Sequence, residues 1–326
     1  MKIYGKKDAV EKISTYSVKG RIPHAIIITG NKGVGKRTFA DYAAMLMMCG
    51  KKGAEPCMDC IECRRVEEHI HPDVSYPLRE MKTGKYNVDD LGEFMNGCYK
   101  IPNDSDIRIC IFEDADTMNV FCQNALLKFI EEPLPFNRFI FTVSDKNRIL
   151  ETIHSRVTEI RIGEADKDEC LAALYDNGID YGEGEKLFRT FGGNIGTCLN
   201  AHEDEAALII HNLAERISEA VCEKSEYECL SAFSSIKTRE ELGEVLRLTA
   251  DVFANAAAIA AGGRPYGFFP PCSEQISERM TIKKLMLLSE TATEMYKSID
   301  SNPNVGLYAA NCCGRMFAAM EQRKKQ

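Results

Sequence analysis

Several features are missing from this chain of 326 residues, and each absence argues against a class of protein. Tryptophan does not occur, so no indole ring can contribute to a binding site. No run of about 18 apolar residues is present, which argues against a transmembrane helix. The N-terminal residues lack the apolar core of a signal peptide, so we expect an unexported, cytoplasmic protein with no membrane association.

An excess of positive charge is missing as well. Lys and Arg together number 41 against 49 Asp and Glu, which gives a net charge of −8. Nonspecific affinity for DNA comes from neutralising phosphates with Lys and Arg. We therefore expect that partners supply most of the positive surface if this chain works on DNA.

The first part of the chain alternates between strand and helix patterns. Short apolar, β-branched runs predict five strands, at residues 25–29, 73–76, 107–112, 139–142 and 157–162. Helices are predicted between them at residues 36–48, 87–99 and 119–130. This alternation is typical of an α/β layer with a parallel sheet.

The second part of the chain has no comparable strand pattern. Helices are predicted there at residues 166–177, 183–191, 206–222, 239–261 and 281–300. We therefore predict an α/β domain at residues 1–163, a small helical lid at 164–204 and an all-α C-terminal domain at 205–326.

A glycine-rich loop follows the first predicted strand. Gly30, Gly35 and Lys36 match the template G-x-x-x-x-G-K-[ST], and Gly33 lies inside the same loop. Backbone N–H groups at the start of the following helix form an anion site, and the lysine adds a positive charge. The sequence therefore predicts a nucleotide-binding loop.

Two departures from the usual pattern concern the metal ion of such a site. Arg37 stands where a hydroxyl normally binds Mg²⁺, and Thr38 comes one residue too late on the helix. After the third predicted strand Glu113 precedes Asp114, whereas motor ATPases usually have Asp followed by Glu. Glu113 could still reach a metal, although the catalytic carboxylate would be one carbon shorter. We predict a degenerate site that binds ATP or ADP weakly, not at all, or without hydrolysis.

Four of the 14 cysteines form a cluster with the spacing C-x7-C-x2-C-x2-C, namely Cys49, Cys57, Cys60 and Cys63. Four thiolates bind Zn²⁺ in a closed tetrahedral site, which is structural rather than catalytic. An iron–sulfur cluster would need another cysteine shortly after the last one, and none follows at that distance. His69 and His71 could compete as ligands, and four buried reduced thiols are the alternative to a metal. Structural zinc at residues 49–63 is the prediction.

Ser155 and Arg156 come directly before the fifth predicted strand. An arginine there would emerge at one end of the sheet, where it could face a neighbouring subunit. An arginine supplied in trans stabilises charge on a transferring phosphoryl group, and in GTPases this is worth roughly 10³–10⁵ in rate. The alternative is a surface arginine in a salt bridge, and position alone does not decide between the two.

In this order the motifs resemble those of the clamp-loader family of AAA+ proteins, most closely its delta-prime branch in bacterial DNA polymerase III. The resemblance covers roughly the first half of the chain. Besides the loop and the cysteines, the matching segments are residues 23–25, 71–73, 113–116, 124–128, 131–133 and 152–156.

The resemblance implies a fold and a role. The fold would be an AAA+ P-loop domain with a five-stranded parallel sheet, a helical lid and a C-terminal helical collar for oligomerisation. The role would be that of a clamp-loader subunit in a pentamer with motor subunits and a delta subunit, which loads the sliding clamp onto primed DNA. Such a subunit would not hydrolyse ATP itself. Ser155 and Arg156 would act on a neighbour's ATP, although Val157 replaces the cysteine of the family motif.

Two other functions stay open from the sequence. The first is an ATP-hydrolysing motor subunit of the gamma/tau type, which would need the Mg²⁺ hydroxyl that position 37 lacks. The second is a zinc-stabilised nucleic-acid-binding module, which the negative net charge opposes. No DNA polymerase active site is visible in the sequence, so any such activity would belong to the holoenzyme.

Overall fold

The computed structural model describes residues 2–80, 84–203, 205–263, 270, 272–299 and 304–321. The chain divides into two compact units, Met1–Glu169 and Cys170–Gln326. This division does not separate a lid at 164–204 from the helices after it, so the three-domain organisation stays a prediction. The predicted end of one helix at residue 300 lies outside the described residues.

A five-stranded sheet lies at the centre of the first unit, and all its strand pairs are parallel. The strands are β1 (Ala25–Thr29), β2 (Val74–Ser75), β3 (Arg108–Phe112), β4 (Asn137–Val143) and β5 (Thr158–Arg161). Their order across the sheet is β2-β3-β4-β1-β5. The five predicted strands and the parallel sheet are therefore confirmed, with small differences at the strand ends.

Burial on both faces of the sheet explains the mostly apolar runs of the central strands β1, β3 and β4. Successive side chains of a strand point to opposite faces. In β1, Ile26 and Ile28 belong to one buried cluster, and Ala25 and Ile27 belong to the other. Each face therefore has its own hydrophobic core.

Helices of the first unit cover these two faces. They are α1 (Lys7–Val18), α2 (Lys36–Met48), α3 (Ile61–Glu67), α4 (Val88–Gly97), α5 (Val120–Glu131) and α6 (Glu151–His154). The predicted α4 and α5 begin at asparagine caps, because the Asn87 and Asn119 side chains accept the N–H groups of Asp89 and Cys122. The sequence did not predict α1, whose N-cap position holds Lys6 and makes no side-chain cap hydrogen bond.

The second unit is all-α within its described residues. The helices from residue 167 onward are α7 (Lys167–Asp176), α8 (Tyr181–Phe191), α9 (Ile195–Glu203), α10 (Glu205–Glu223), α11 (Glu226–Ser234), α12 (Arg239–Ala260), α13 (Cys272–Arg279), α14 (Ile282–Lys297) and α15 (Val305–Glu321). The long helix α12 begins at a capping box of Thr238 and Glu241 and packs against α10, α13 and α14. Among the described residues, no helix combines the length and apolar character that crossing a membrane requires.

Candidate functional site

The glycine-rich loop joins the end of β1 to the start of α2, so it lies at the carboxyl end of the sheet. Gly33 and Gly35 have φ angles of 86° and 84°, in the left-handed region that favours glycine. Gly30 is constrained differently, because an added Cβ would lie 2.5 Å from the carbonyl oxygen of Ile162. The three glycines are therefore needed for two separate reasons, backbone conformation and close approach.

Lys36 is the first residue of α2, and its side chain is buried beside the loop. Its Nζ donates to the Asn31 carbonyl oxygen and to Ser144 Oγ, both at 2.9 Å. Burial lowers the pKa of this ammonium, while Asp114 and Asp116 act in the opposite direction. Sequence reasoning missed Ser144. It directly follows β4, the neighbour of β1, so a hydroxyl at the end of an apolar strand was the available signal.

Two arginines hold the acidic residues at the end of β3. Arg37 Nε lies 2.6 Å from Glu113 Oε1. Arg79 places one nitrogen 2.9 Å from Glu113 Oε2 and the other 2.9 Å from Asp114 Oδ2. Both oxygens of the Glu113 carboxylate therefore contact a guanidinium group. Sequence reasoning missed Arg79, which belongs to none of the recognised motifs.

The residues around Glu113 do not fit a bound Mg²⁺ ion, although the loop fits a phosphate group. Mg²⁺ needs oxygen ligands in near-octahedral geometry at about 2.0–2.1 Å. Glu113 Oε2 accepts a hydrogen bond from Arg79, and Oε1 lies 2.6 Å from Arg37 Nε in an ion pair without a hydrogen bond. A metal ion at Oε1 would have to displace Arg37, which offers no acceptor. Thr38 is exposed on α2, and no hydrogen bond between it and Glu113 or Asp114 is found in the described part of the chain.

The four cysteines predicted as metal ligands come together between α2 and α3. Their Sγ atoms all lie within 4.8 Å of one another, in Cys49, Cys57, Cys60 and Cys63. Tetrahedral Zn²⁺ with Zn–S bonds of about 2.3 Å separates its sulfur ligands by about 3.8 Å. The N–H groups of Asp59 and Cys60 lower the pKa of Cys57 to about 6, whereas burial raises the pKa of Cys63, so the fit to a metal rests on the sulfur positions. The four thiols therefore fit a structural zinc ion.

The two nearby histidines have other partners. His71 is buried, and its Nδ1 accepts the N–H of Asp73 at 3.0 Å while its Nε2 lies 2.8 Å from Glu62 Oε2. His69 Nδ1 lies 2.9 Å from the Tyr76 hydroxyl. Within the described residues, neither histidine belongs to the group formed by the four cysteine sulfur atoms.

Asp73 connects the start of β2 to the segment ahead of β3. Its buried carboxylate accepts N–H groups from Asn103 at 2.6 Å, Asp104 at 2.8 Å and Ser105 at 3.0 Å. Burial raises the pKa of this carboxyl, but the three N–H donors outweigh burial and leave the pKa below its usual value. The charged carboxylate therefore holds this segment in place.

Ser155 and Arg156 lie between α6 and β5. Arg156 Nε is 3.0 Å from Glu131 Oε1, and Nη1 donates to the Thr152 carbonyl oxygen at 2.9 Å and to Ser155 Oγ at 3.0 Å. The side chain is 41% exposed. The arginine is thus in a surface ion pair and also accessible, so both sequence interpretations stay open.

Arg156 and the phosphate loop lie at opposite ends of the sheet. In the parallel pairing of β1 with β5, Ile26 lies opposite Thr158 and Thr29 lies opposite Arg161. Arg156 precedes Thr158 by two positions, and the loop begins directly after Thr29. At roughly 3.3 Å per residue the paired positions from Thr158 to Arg161 alone span about 10 Å along the sheet, and Arg156 lies before the first of them. Arg156 cannot reach the phosphate loop of its own chain.

Comparisons with known proteins find similarity to subunits of DNA polymerase III. Residues 5–166 match the family described as DNA polymerase III, delta subunit. The chain is 34% identical over 139 residues to the DNA polymerase III subunit delta' of Bacillus subtilis, covering 42% of this chain and 41% of that protein. It is 31% identical over 156 residues to the subunit gamma of Buchnera aphidicola, covering 47% of this chain and 42% of that protein. The chain thus spans less than half the length of these curated relatives.

Among solved structures, a gamma subunit-related protein from Thermotoga maritima is similar with a TM-score of 0.46 and 12% identity, covering 96% of this chain and 99% of that chain. The clamp loader delta protein YqeN of Bacillus subtilis is similar with a TM-score of 0.38 and 11% identity, covering 95% of this chain and 99% of that chain.

Proposed function

Because this chain belongs, through residues 5–166, to the clamp-loader family of DNA polymerase III, we propose that it is a delta-prime-type subunit that does not hydrolyse ATP. One observation carries the proposal. Both carboxylate oxygens of Glu113, the residue placed to bind a metal ion, contact the guanidinium groups of Arg37 and Arg79. A loop in this state can hold phosphate, but its acidic residues would not hold the Mg²⁺ that stabilises the transferring phosphoryl group.

The second part of the proposal gives Arg156 a role in a neighbouring subunit. Its exposure and its distance from the loop of its own chain support action in trans. Ser155 Oγ accepts one N–H of the guanidinium and donates to the Thr152 carbonyl oxygen, so it positions the arginine. The arginine would stabilise the charge that develops on the neighbour's ATP.

The assembly follows from the family and is proposed as a whole. This chain would join motor subunits and a delta subunit in a cytoplasmic pentamer that loads the sliding clamp onto primed DNA. The helices after residue 205 would form the collar that holds the subunits together, and residues 164–204 would form the lid. The cysteine cluster would hold a structural zinc ion on the first unit.

A motor subunit remains the second candidate, because the similarity to a gamma subunit extends over 156 residues at 31% identity. ATP turnover separates the two candidates. The chain alone should show no turnover if it is a delta-prime-type subunit. Turnover by the chain alone that Lys36→Ala abolishes would establish the motor function instead.

The role of Arg156 is tested by ATP turnover of the cognate motor subunits, assembled with this chain, the delta subunit, clamp and primed DNA. Arg156→Ala should lower turnover at least about tenfold, because an arginine supplied in trans contributes roughly 10³–10⁵ in rate in GTPases. Arg189→Ala is the matched control, because Arg189 is also an exposed arginine near a glutamate, on α8. Equal turnover with both variants would reject the trans role. Tight DNA binding by the isolated chain would favour the nucleic-acid-binding alternative.

A further inference from the structure

We propose that the phosphate loop binds the polyphosphate of a nucleoside diphosphate or triphosphate without a divalent metal ion, with Arg37 taking the place of the metal. The proposal deepens the proposed function at its own nucleotide loop, and it rests on the premise that this loop does not hydrolyse ATP.

Lys36 is a buried cation whose hydrogen-bond partners are neutral. Its Nζ contacts the Asn31 carbonyl oxygen and the Ser144 hydroxyl, and it is only 7% exposed. In the described part of the chain no carboxylate forms an ion pair with it. A buried charge is costly unless it is paired. The N-terminus of the 13-residue helix α2 adds N–H groups at the same place, so the loop is prepared for an anion.

Arg37 follows Lys36 directly and carries a second positive charge. Arg37 is 61% exposed and uses its Nε to contact Glu113, while its two terminal nitrogens form no hydrogen bond among the described residues. A guanidinium group can present two parallel N–H groups to a phosphate. Lys36 and Arg37 therefore offer adjacent positive groups at the start of α2.

The charge of Arg37 and Arg79 together equals that of a Mg²⁺ ion. A metal-dependent site neutralises its two acidic residues with one Mg²⁺ ion, which carries two positive charges. Here Arg37 and Arg79 bring the same two charges and contact Glu113 and Asp114 directly. A metal ion would have to displace both arginines from the Glu113 oxygens. The built-in cations therefore make the divalent ion unnecessary and exclude it.

The proposal is tested by equilibrium titration of the full chain with a fluorescent N-methylanthraniloyl derivative of ADP, with excess Mg²⁺ or in Mg²⁺-free buffer. The Mg²⁺-free arm is prepared by gel filtration rather than with a strong chelator, so that the cysteine cluster keeps any metal it holds. Wild-type affinity should agree between the two arms within about threefold, a difference below about 0.7 kcal/mol. Inorganic pyrophosphate should compete in both arms, because the phosphates are recognised.

Two variants sharpen the test. Arg37→Thr combined with Arg79→Ala supplies the missing hydroxyl and frees both Glu113 oxygens, so binding should become at least about tenfold tighter with Mg²⁺ than without it. Lys36→Ala should lose binding in both arms. Circular dichroism of each variant establishes that it is folded.

Wild-type binding that requires Mg²⁺ would overturn the proposal, and so would the absence of binding in both arms. Neither result would affect the Arg156 assay, which measures turnover at a neighbouring subunit. Conversely, metal-independent binding together with an unaffected Arg156→Ala assembly would reject the trans role and support this proposal.

Discussion

Replacing Asp73 with alanine should destabilise the first unit by about 3 kcal/mol. The substitution removes the acceptor of three backbone N–H groups, which lie 2.6, 2.8 and 3.0 Å from the carboxylate. Hydrogen bonds to a charged group contribute about 1.5–3 kcal/mol each. Asn103 and Asp104 are exposed, so water can reach part of the segment once the carboxylate is gone. We therefore expect a loss in the free energy of unfolding of roughly half the summed contribution of the three hydrogen bonds.

The absence of tryptophan gives this prediction a clean assay. Tyr99 is half-exposed and its ring centroid lies 5.2 Å from that of Phe129, so Tyr99→Trp places a single fluorescent reporter in the first unit. Urea unfolding of this background, followed by tryptophan emission, gives the free energy of unfolding of that unit. Asp104→Ala is the matched control. It leaves the backbone N–H of residue 104 intact and removes only an exposed ion pair with Arg65, which is worth at most about 1 kcal/mol.

The effect should also depend on pH. The pKa of Asp73 in the folded protein lies below its unfolded value. Its stabilising contribution is therefore fully present above the unfolded pKa, about pH 4, and is lost as the pH falls through the folded pKa. The difference in the free energy of unfolding between Asp73→Ala and its parent should therefore become smaller below about pH 4.

Two outcomes would contradict this reasoning. Asp73→Ala could prove as stable as Asp104→Ala at neutral pH, which would mean that the three N–H groups find equivalent partners elsewhere. The destabilisation could also persist unchanged in acid, which would mean that the charge of the carboxylate contributes nothing.

Two further predictions concern the cysteine cluster and the phosphate loop. Elemental analysis should find one zinc ion for each chain. Cys60→Ser should lower the zinc content and the Tm, whereas Cys110→Ser, which changes a buried cysteine outside the cluster, should retain the metal. Full zinc content in Cys60→Ser would rule out the site. Gly30→Ala should cost about 2–3 kcal/mol in the same urea assay, because its Cβ would lie 2.5 Å from a backbone oxygen. An added Cβ at Gly163 meets no atom within 4 Å, so Gly163→Ala should change the free energy of unfolding by less than about 0.5 kcal/mol. Equal destabilisation by Gly30→Ala and Gly163→Ala would show that the phosphate loop can relax around the added methyl group.

The parts of the fold that the sequence predicted are those with a strong local pattern. The central strands β1, β3 and β4 are largely buried on both faces, so each contains a mostly apolar run between polar or glycine-rich segments. The short helix α3 was missed because it begins inside the cysteine module and its seven residues are too few to show a helical repeat. The four cysteines were found because closely spaced cysteines are a local signal of a metal site, and the fold brings their sulfur atoms together.

The parts of the site that the sequence did not predict depend on which strands are neighbours. Ser144 reaches Lys36 because β4 pairs with β1, although the two residues are 108 positions apart. Arg79 reaches Glu113 from the segment after β2, which lies next to β3 in the sheet. The departure at Arg37 was visible in the sequence, but its ion pair with Glu113 was not. Such pairings follow from the tertiary fold and leave no local signal.

The placement of the phosphate loop and Arg156 at opposite ends of one parallel sheet has a consequence for symmetry. A contact in which the arginine of one subunit meets the phosphate loop of the next joins two different surfaces, so it is heterologous and gives the assembly a direction. In such a directional series, a subunit with an accessible arginine and no place for the metal ion would contribute to catalysis from one end only. This chain would then mark a terminus of the catalytic series, where the succession of active sites begins or stops.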